Sequence, residues 1–304
     1  MLPQHVTADL TGHHGPARAV RFNYSGSYCL TCGTDKTVKL WNPHRGTIIK
    51  TYTGHGREVL DAAAARDNAR IATCGADKLI RLFDVSTGNV IRTFRGHMER
   101  INCLKFNEEC TLLISGSYDA TVRVWDLKSR SFEPIQVIDD ARDSVTSLQV
   151  TDYEILTGSV DSYVRNYDLR MGKLYQDCVG SAVTSVSFTN DRQCIVASSL
   201  DNRVRLFDKI GGDLLNEYSG HKNEDYKIDS CTTNTDAHIV SGSEEGRICF
   251  WDLVETKMTH TLSQGSKTSI IYSIAYHPKE TCLLAASSDG SIKVWKGTER
   301  AKAE

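Results

Sequence analysis

Short runs of alternating apolar and polar residues recur along the whole chain, and each run breaks at glycine, asparagine, aspartate or serine. A period of two is the mark of a strand buried on one face, and no apolar spacing of helical period is sustained over a useful length. The first such group predicts four strands: Arg18 to Asn23, Tyr28 to Cys32, Thr37 to Trp41 and Thr47 to Tyr52. Turn residues such as Ser25-Gly26 and Asp35 separate them. The chain holds only 5 prolines, so little interrupts these strands.

The group repeats. Trp41, Trp125, Trp251 and Trp295 each end one local pattern, reading DKTVKLW, DATVRVW, EGRICFW and DGSIKVW. Three more copies, DKLIRLF, DSYVRNY and DNRVRLF, end at Phe83, Tyr167 and Phe207. The seven aromatics stand 42, 42, 42, 40, 44 and 44 residues apart. Four short strands per period, seven times over, predict an all-β, seven-bladed propeller occupying residues 1–304 as one domain. A twisted four-stranded sheet cannot cover both its faces alone, whereas in a ring each blade packs on the next. Too few residues follow Trp295 for an outer strand, while residues 6–10 form an unpaired one near the start. The N-terminal strand is therefore expected to complete the blade made by residues 268–297, which protects an open sheet edge.

Composition narrows the function. The 36 Lys and Arg against 38 Asp and Glu give a formal net charge of −2, so no broad cationic field exists to capture nucleic acid. No run of 18 apolar residues is present, so no transmembrane helix is expected. Met1 to His5 lacks the pattern of a secretory leader. Most of the ten cysteines fall in strand-like apolar segments, which reads as reduced core thiols in a cytoplasmic and nuclear protein.

Several marks recur in register. Gly12-His13, Gly54-His55, Gly96-His97 and Gly220-His221 precede innermost strands, and Asp35, Asp77, Asp119, Asp161, Asp201, Glu245 and Asp289 sit in the tight turns. Asp84, Asp126, Asp168, Asp208 and Asp252 follow the aromatic, with Asn42 and Lys296 departing from that pattern. Over nearly the entire chain these marks resemble the WD-repeat family. The resemblance implies a buried polar relay in which an indole N–H donates to a Ser or Thr hydroxyl, which bonds a His, which bonds the turn acid. His13, Thr31, Asp35 and Trp41 make one complete set; His97, Ser115, Asp119 and Trp125 a second; His221, Ser241, Glu245 and Trp251 a third, with Glu for Asp. Blade two has His55, Thr73 and Asp77 but Phe83 in place of the donor. Blades four, five and seven lack the His, with Asp139, Ser181 and Ser266 near its position, and are expected to rely on apolar packing.

Other readings of these residues are weaker. Recurring His, Ser and Asp suggest hydrolase triads, but a triad needs one exposed nucleophile and an oxyanion hole, whereas these sets repeat at scaffold spacing. Cys29 and Cys32 form a lone CxxC without a second pair for zinc, and positions i and i+3 of a strand face opposite ways. Gly211-Gly212 matches no phosphate loop. The cations two before the aromatic (Lys39, Arg81, Arg123, Arg165, Arg205, Lys293) are expected to lay their stems on the sheet and hold their heads in water. No catalytic, cofactor or metal site is expected.

Function then belongs to surfaces and loops. The family resemblance points to the channel mouth where innermost strands begin, and the register places Arg18, Leu60, Asn102, Tyr118, Leu200, Lys227 and Tyr272 there, with Thr34 and Thr146. Glu58, Arg100 and Ile270 lie just before such positions. Apolar and aromatic residues among cations suit an interface core with its rim. Beyond the general repeat, RAVRFN, YCLTCGTDKT, GHGREVLDAA, FRGHMERINCLKFNEE, VRNYDLRMGKL, GHKNEDYK and FWDLVE resemble one group, the mitogen-activated protein kinase organizer scaffolds, along the whole chain. That resemblance implies a non-enzymatic platform for components of the extracellular-signal-regulated kinase cascade. It implies, as an alternative, a structural subunit of the spliceosome. The expected form is a monomeric propeller within larger complexes, with protein partners, no direct nucleic-acid binding and no membrane.

Overall fold

The computed structural model describes residues 2–297. Among them are 28 strands in seven antiparallel four-stranded sheets, as the repeat period predicts. Blade one runs β2 (Ala17–Phe22), β3 (Cys29–Gly33), β4 (Val38–Asn42) and β5 (Thr47–Tyr52), from the channel outwards. Blades two to six repeat this order, starting at Val59, Ile101, Val145, Val183 and Ser230. Blade seven is built from both ends of the chain: β26 (Ile271–Tyr276), β27 (Cys282–Ser287), β28 (Ile292–Lys296) and, outermost, β1 (His5–Asp9). β1 pairs antiparallel with β28, His5 opposite Lys296, one residue earlier than the sequence suggests at each end. The N–H of Leu10 still donates to the Ile292 carbonyl at 2.7 Å. Each innermost strand touches the next, and β2 touches β26, which closes the ring.

Alternation along the second strand of each blade builds the core. Successive side chains point to opposite faces, so each strand feeds two interfaces. Leu113 packs into the interface with blade two and its neighbour Ile114 into that with blade four. Ile155 and Leu156, Ile195 and Val196, Ile239 and Val240, and Leu283 and Leu284 divide in the same way. The result is seven apolar clusters, one between each pair of neighbouring blades. Burying one such side chain contributes roughly 1.5–3 kcal/mol, so the ring is held by many comparable seams. Cys29 faces blade seven and Cys32 faces blade two, both buried and unpaired.

Tight turns join the second and third strands. In all seven blades the residue after the turn acid has positive φ: Lys36 64°, Lys78 65°, Ala120 61°, Ser162 73°, Asn202 64°, Gly246 68° and Gly290 86°. Five of these residues carry a side chain in a conformation that disfavours one. The acid compensates by accepting the N–H two residues on, as Asp35 does from Thr37 at 3.1 Å and Asp119 from Thr121 at 3.1 Å.

Candidate functional site: polar relays and the channel mouth

In blade one Trp41 Nε1 donates to Thr31 Oγ1 at 2.7 Å, and Thr31 lies 2.7 Å from His13 Nε2. His13 Nδ1 stands 2.8 Å from Asp35. A neutral imidazole protonated on Nδ1 satisfies every link, with the hydroxyl donating to Nε2 and Nδ1–H donating to the carboxylate. Blade three repeats this with Trp125 to Ser115 at 2.9 Å, Ser115 to His97 at 2.8 Å and His97 to Asp119 at 2.9 Å. Burial pushes the His97 imidazole below its ordinary range. Burial also works to raise the Asp119 carboxyl, but hydrogen bonds from His97 and Thr121 outweigh it and hold that group well below the usual range. In blade two, where Phe83 has no donor, Arg81 joins instead and donates to Asp77 at 2.8 Å. His55 stands 3.0 Å from Asp77 and 2.7 Å from Thr73.

The third expected relay, in blade six, does not form. Both ring nitrogens of His221 are buried without a hydrogen-bond partner, and Trp251 Nε1 donates to the Ser219 carbonyl at 2.9 Å. Ser241 turns to the Gly242 carbonyl, and Glu245 pairs with Arg247. The extra methylene of Glu245 carries its carboxylate out to Arg247, so nothing anchors the imidazole. Burial, opposed in part by the Asp201 and Glu244 charges, then takes His221 down to about 4.

Blades four and five correct the expectation for the repeated cations. Arg165, 2 % exposed, does not reach water: it donates to Asp161 at 2.7 Å and to Ser159 at 2.7 Å. Arg205 does the same to Asp201 at 2.5 Å and Ser199 at 2.7 Å. These arginines fill the place of the missing histidines, so both blades keep a polar anchor beyond apolar packing. Asp139 and Ser266 are exposed and Ser181 is half-buried. In blade seven Trp295 Nε1 donates to Gln264 Oε1 at 3.2 Å, and Gln264 passes a bond to the Ala285 carbonyl at 2.9 Å. A single buried glutamine two positions before Ser266 carries no sequence signal.

The expected docking residues divide. Arg18, Glu58, Leu60, Arg100, Asn102, Lys227 and Tyr272 line one cavity of about 180 Å³ at the mouth where innermost strands begin. The Arg18 guanidinium donates to Glu58 at 3.0 Å and lies 4.9 Å from the Tyr272 ring centre. Arg100 lies 4.6 Å over Tyr118, which is half exposed beside the cavity. Leu200 and Ile270 lie outside the lining and are half-buried, tied by backbone bonds to Ala182 and Ser288. Asn102 lines the cavity but has a structural task as well. Its amide is buried and donates to Ser144 at 2.9 Å and Val145 at 2.8 Å, so it staples blades three and four. Tyr226 and Asp229 complete the lining. Tyr226 stands edge-on to Tyr272 at 6.0 Å. Blade six enters the ring through an irregular segment before its three-residue inner strand, Ser230–Thr232, and register alone could not place Tyr226.

Metal chemistry finds little support in these residues. Potential ligand atoms of His44, His277 and Glu280 lie within 4.8 Å of one another. Lys296 Nζ stands 3.0 Å from His44 Nδ1 and 3.9 Å from Glu280, placing an ammonium there. His277 Nδ1 already accepts the N–H groups of Lys279 and Glu280.

Relatives agree with this architecture. The WD domain, G-beta repeat profile matches residues 4–42, 212–252 and 256–296, and a nucleolar protein 10-like N-terminal domain profile matches 35–223. WD repeat domain-containing protein 83 of Rattus norvegicus is 52 % identical over 97 % of this chain and 93 % of its own length. The Homo sapiens protein of that name is 53 % identical over the same shares. The chain belongs to the WD-repeat family of WD repeat domain-containing protein 83. Members reach as far as Dictyostelium discoideum, where a WD repeat domain-containing protein 83 homolog is 35 % identical over 95 % of this chain. Because the match runs over 97 % of this chain, the relationship covers the whole ring and not one repeat.

Proposed function

We propose that the chain is a non-enzymatic scaffold that seats a protein partner on the channel mouth framed by Arg18, Glu58, Arg100, Tyr118, Tyr226 and Tyr272. The observation that carries this reading is the arginine–aromatic pairing at that mouth, Arg18 with Tyr272 and Arg100 with Tyr118. Arg and Tyr are the residue types on which binding energy concentrates at protein interfaces, and a rigid propeller holds them with little further ordering cost. The His, Ser and Asp sets are consumed by the fold, leaving no exposed nucleophile with a positioned base among them.

The partners we propose are components of the extracellular-signal-regulated mitogen-activated protein kinase cascade, met in cytoplasm and nucleus. This finer reading rests on the sequence resemblance to the organizer scaffolds. The alternative from the same resemblance is a structural place in the spliceosome. Affinity mass spectrometry of the native protein from separated nuclear and cytoplasmic fractions tests both. Cascade kinases lost on Arg18→Glu support the scaffold; splicing factors alone move the assignment to the spliceosome.

A further inference from the structure

The far mouth of the channel, where innermost strands end, has a different character. Arg192 of blade five reaches across to Glu108 of blade three at 2.6 Å, and Glu108 stands 3.7 Å from Arg66 of blade two. Arg66 in turn donates to the Tyr24 hydroxyl at 2.7 Å. This arc spans a cavity of about 380 Å³ that shares Arg21, Lys105, Phe22 and Phe106 with a chamber of about 510 Å³ farther in.

Charge in this space is not balanced. Arg21 claims both carboxylates of the chamber, Asp61 at 3.1 Å and Asp229 at 2.7 Å, and Ser273 also donates to Asp229 at 2.6 Å. Lys227 donates to the Asn102 carbonyl at 3.2 Å and lends its charge to Asp229. The Lys105 ammonium has no hydrogen bond or close ion pair among the described residues, although the charges of Asp61 and Asp229 reach it. Burial, and then the Arg21 charge, push its ammonium below the ordinary lysine range. With the arc included, and Asp152 4.0 Å from Arg192 counted with it, five cations face four carboxylates, one positive charge in excess inside a chain whose formal net charge is −2. An ammonium in such a place is stabilised by an anion it can reach.

We propose that this chamber binds a compact oxyanion of the phosphate class, with Lys105 as the principal donor and Lys227 and Arg21 supplying the surrounding field. The arc of Arg192, Glu108 and Arg66 narrows the way in, which suits a small ion better than a polypeptide. The space exceeds one phosphate, so a free phosphate and the phosphoryl end of a small molecule present the same chemistry. The chamber shares Lys227 and Asp229 with the cavity at the other mouth, and the proposal does not depend on the role given to that mouth.

The test is calorimetric titration of the full chain with inorganic phosphate and with inorganic pyrophosphate, at fixed ionic strength set by chloride. The expected result is saturable one-site binding of at least one of the two. Binding confined to phosphate identifies a free ion as the source, and preference for pyrophosphate identifies a larger phosphorylated molecule. Lys105→Met, which keeps the stem, weakens binding about tenfold or more, the loss of one charge-assisted hydrogen bond. Should Lys105→Met fail to fold, Arg192→Ala on the exposed arc decides in its place, with binding weakened severalfold. Absence of saturable binding by the unmodified chain, or undiminished binding by the folded variant, overturns the proposal.

Discussion

Arg165 and Asp161 pair at 2.7 Å inside blade four, where blades one, two and three set a histidine against the turn acid. The same substitution of a guanidinium for an imidazole recurs in blade five with Arg205 and Asp201. Both solutions satisfy one requirement: the acid that locks a left-handed turn needs a donor on its inner side.

Arg165→Met should therefore be costly, because it leaves Asp161 without its cation. Breaking a buried pair by removing one partner costs about 3–5 kcal/mol. Adding Asp161→Asn should restore part of that loss, since the uncompensated charge is gone. Urea denaturation of the two variants measures both effects; a single variant as stable as the parent would contradict the role given to the pair.

Asp119→Ala removes the acid from a complete relay in blade three. It orphans His97 and the N–H groups of Met98 and Thr121, and about 1–3 kcal/mol of stability should go with it. A thermal melt with no lowering of Tm would show that the relay is dispensable.

His221 sets an acid limit. Its imidazole has an unfolded-state pKa of about 6.5 and is brought by burial to about 4 in the fold. The unfolded chain thus binds the extra proton first, so the contribution is fully present above the unfolded value and is lost as pH falls from there towards 4. The acidic side chains contribute in the same direction at lower pH, where Asp119 and Asp77, both held below their ordinary range, protonate. Glu245→Asp shortens the acid and lets it face His221 as in blades one and three. That variant should gain about 1 kcal/mol at neutral pH and lose less stability between pH 6.5 and 4. Denaturation across that range, with parent and variant falling in parallel, would refute the explanation for the missing relay.

The ring was legible in the sequence because its cause is periodic. Aromatic spacing fixed the number of blades, and the unpaired segment near the start supplied the strand that the last blade lacked. Relays in blades one and three were equally readable, since every member stands in register. Three features were not. Glu245 looks interchangeable with aspartate until one methylene decides whether the carboxylate meets His221 or Arg247. Arg165 and Arg205 occupy the same positions as Lys39 and Arg123, and where the histidine is missing the turn acid is left to them. At the channel mouth, register placed Arg18, Asn102 and Tyr272 in one lining but gave no sign that the Asn102 amide is spent on the next blade. Tyr226 escaped because the segment before Ser230 does not follow the repeat.

Docking at the mouth framed by Arg18 and Tyr272 is open to a single comparison. Native chain and the Arg18→Glu, Tyr272→Ala double variant are used to capture partners from the same cells, with circular dichroism and Tm recorded for both. Loss of a buried arginine–tyrosine anchor costs about 2 kcal/mol or more at an interface, so the account predicts unchanged folding and roughly thirtyfold weaker capture of the principal partners. A double variant that folds normally and captures every partner as well as the native chain would contradict it.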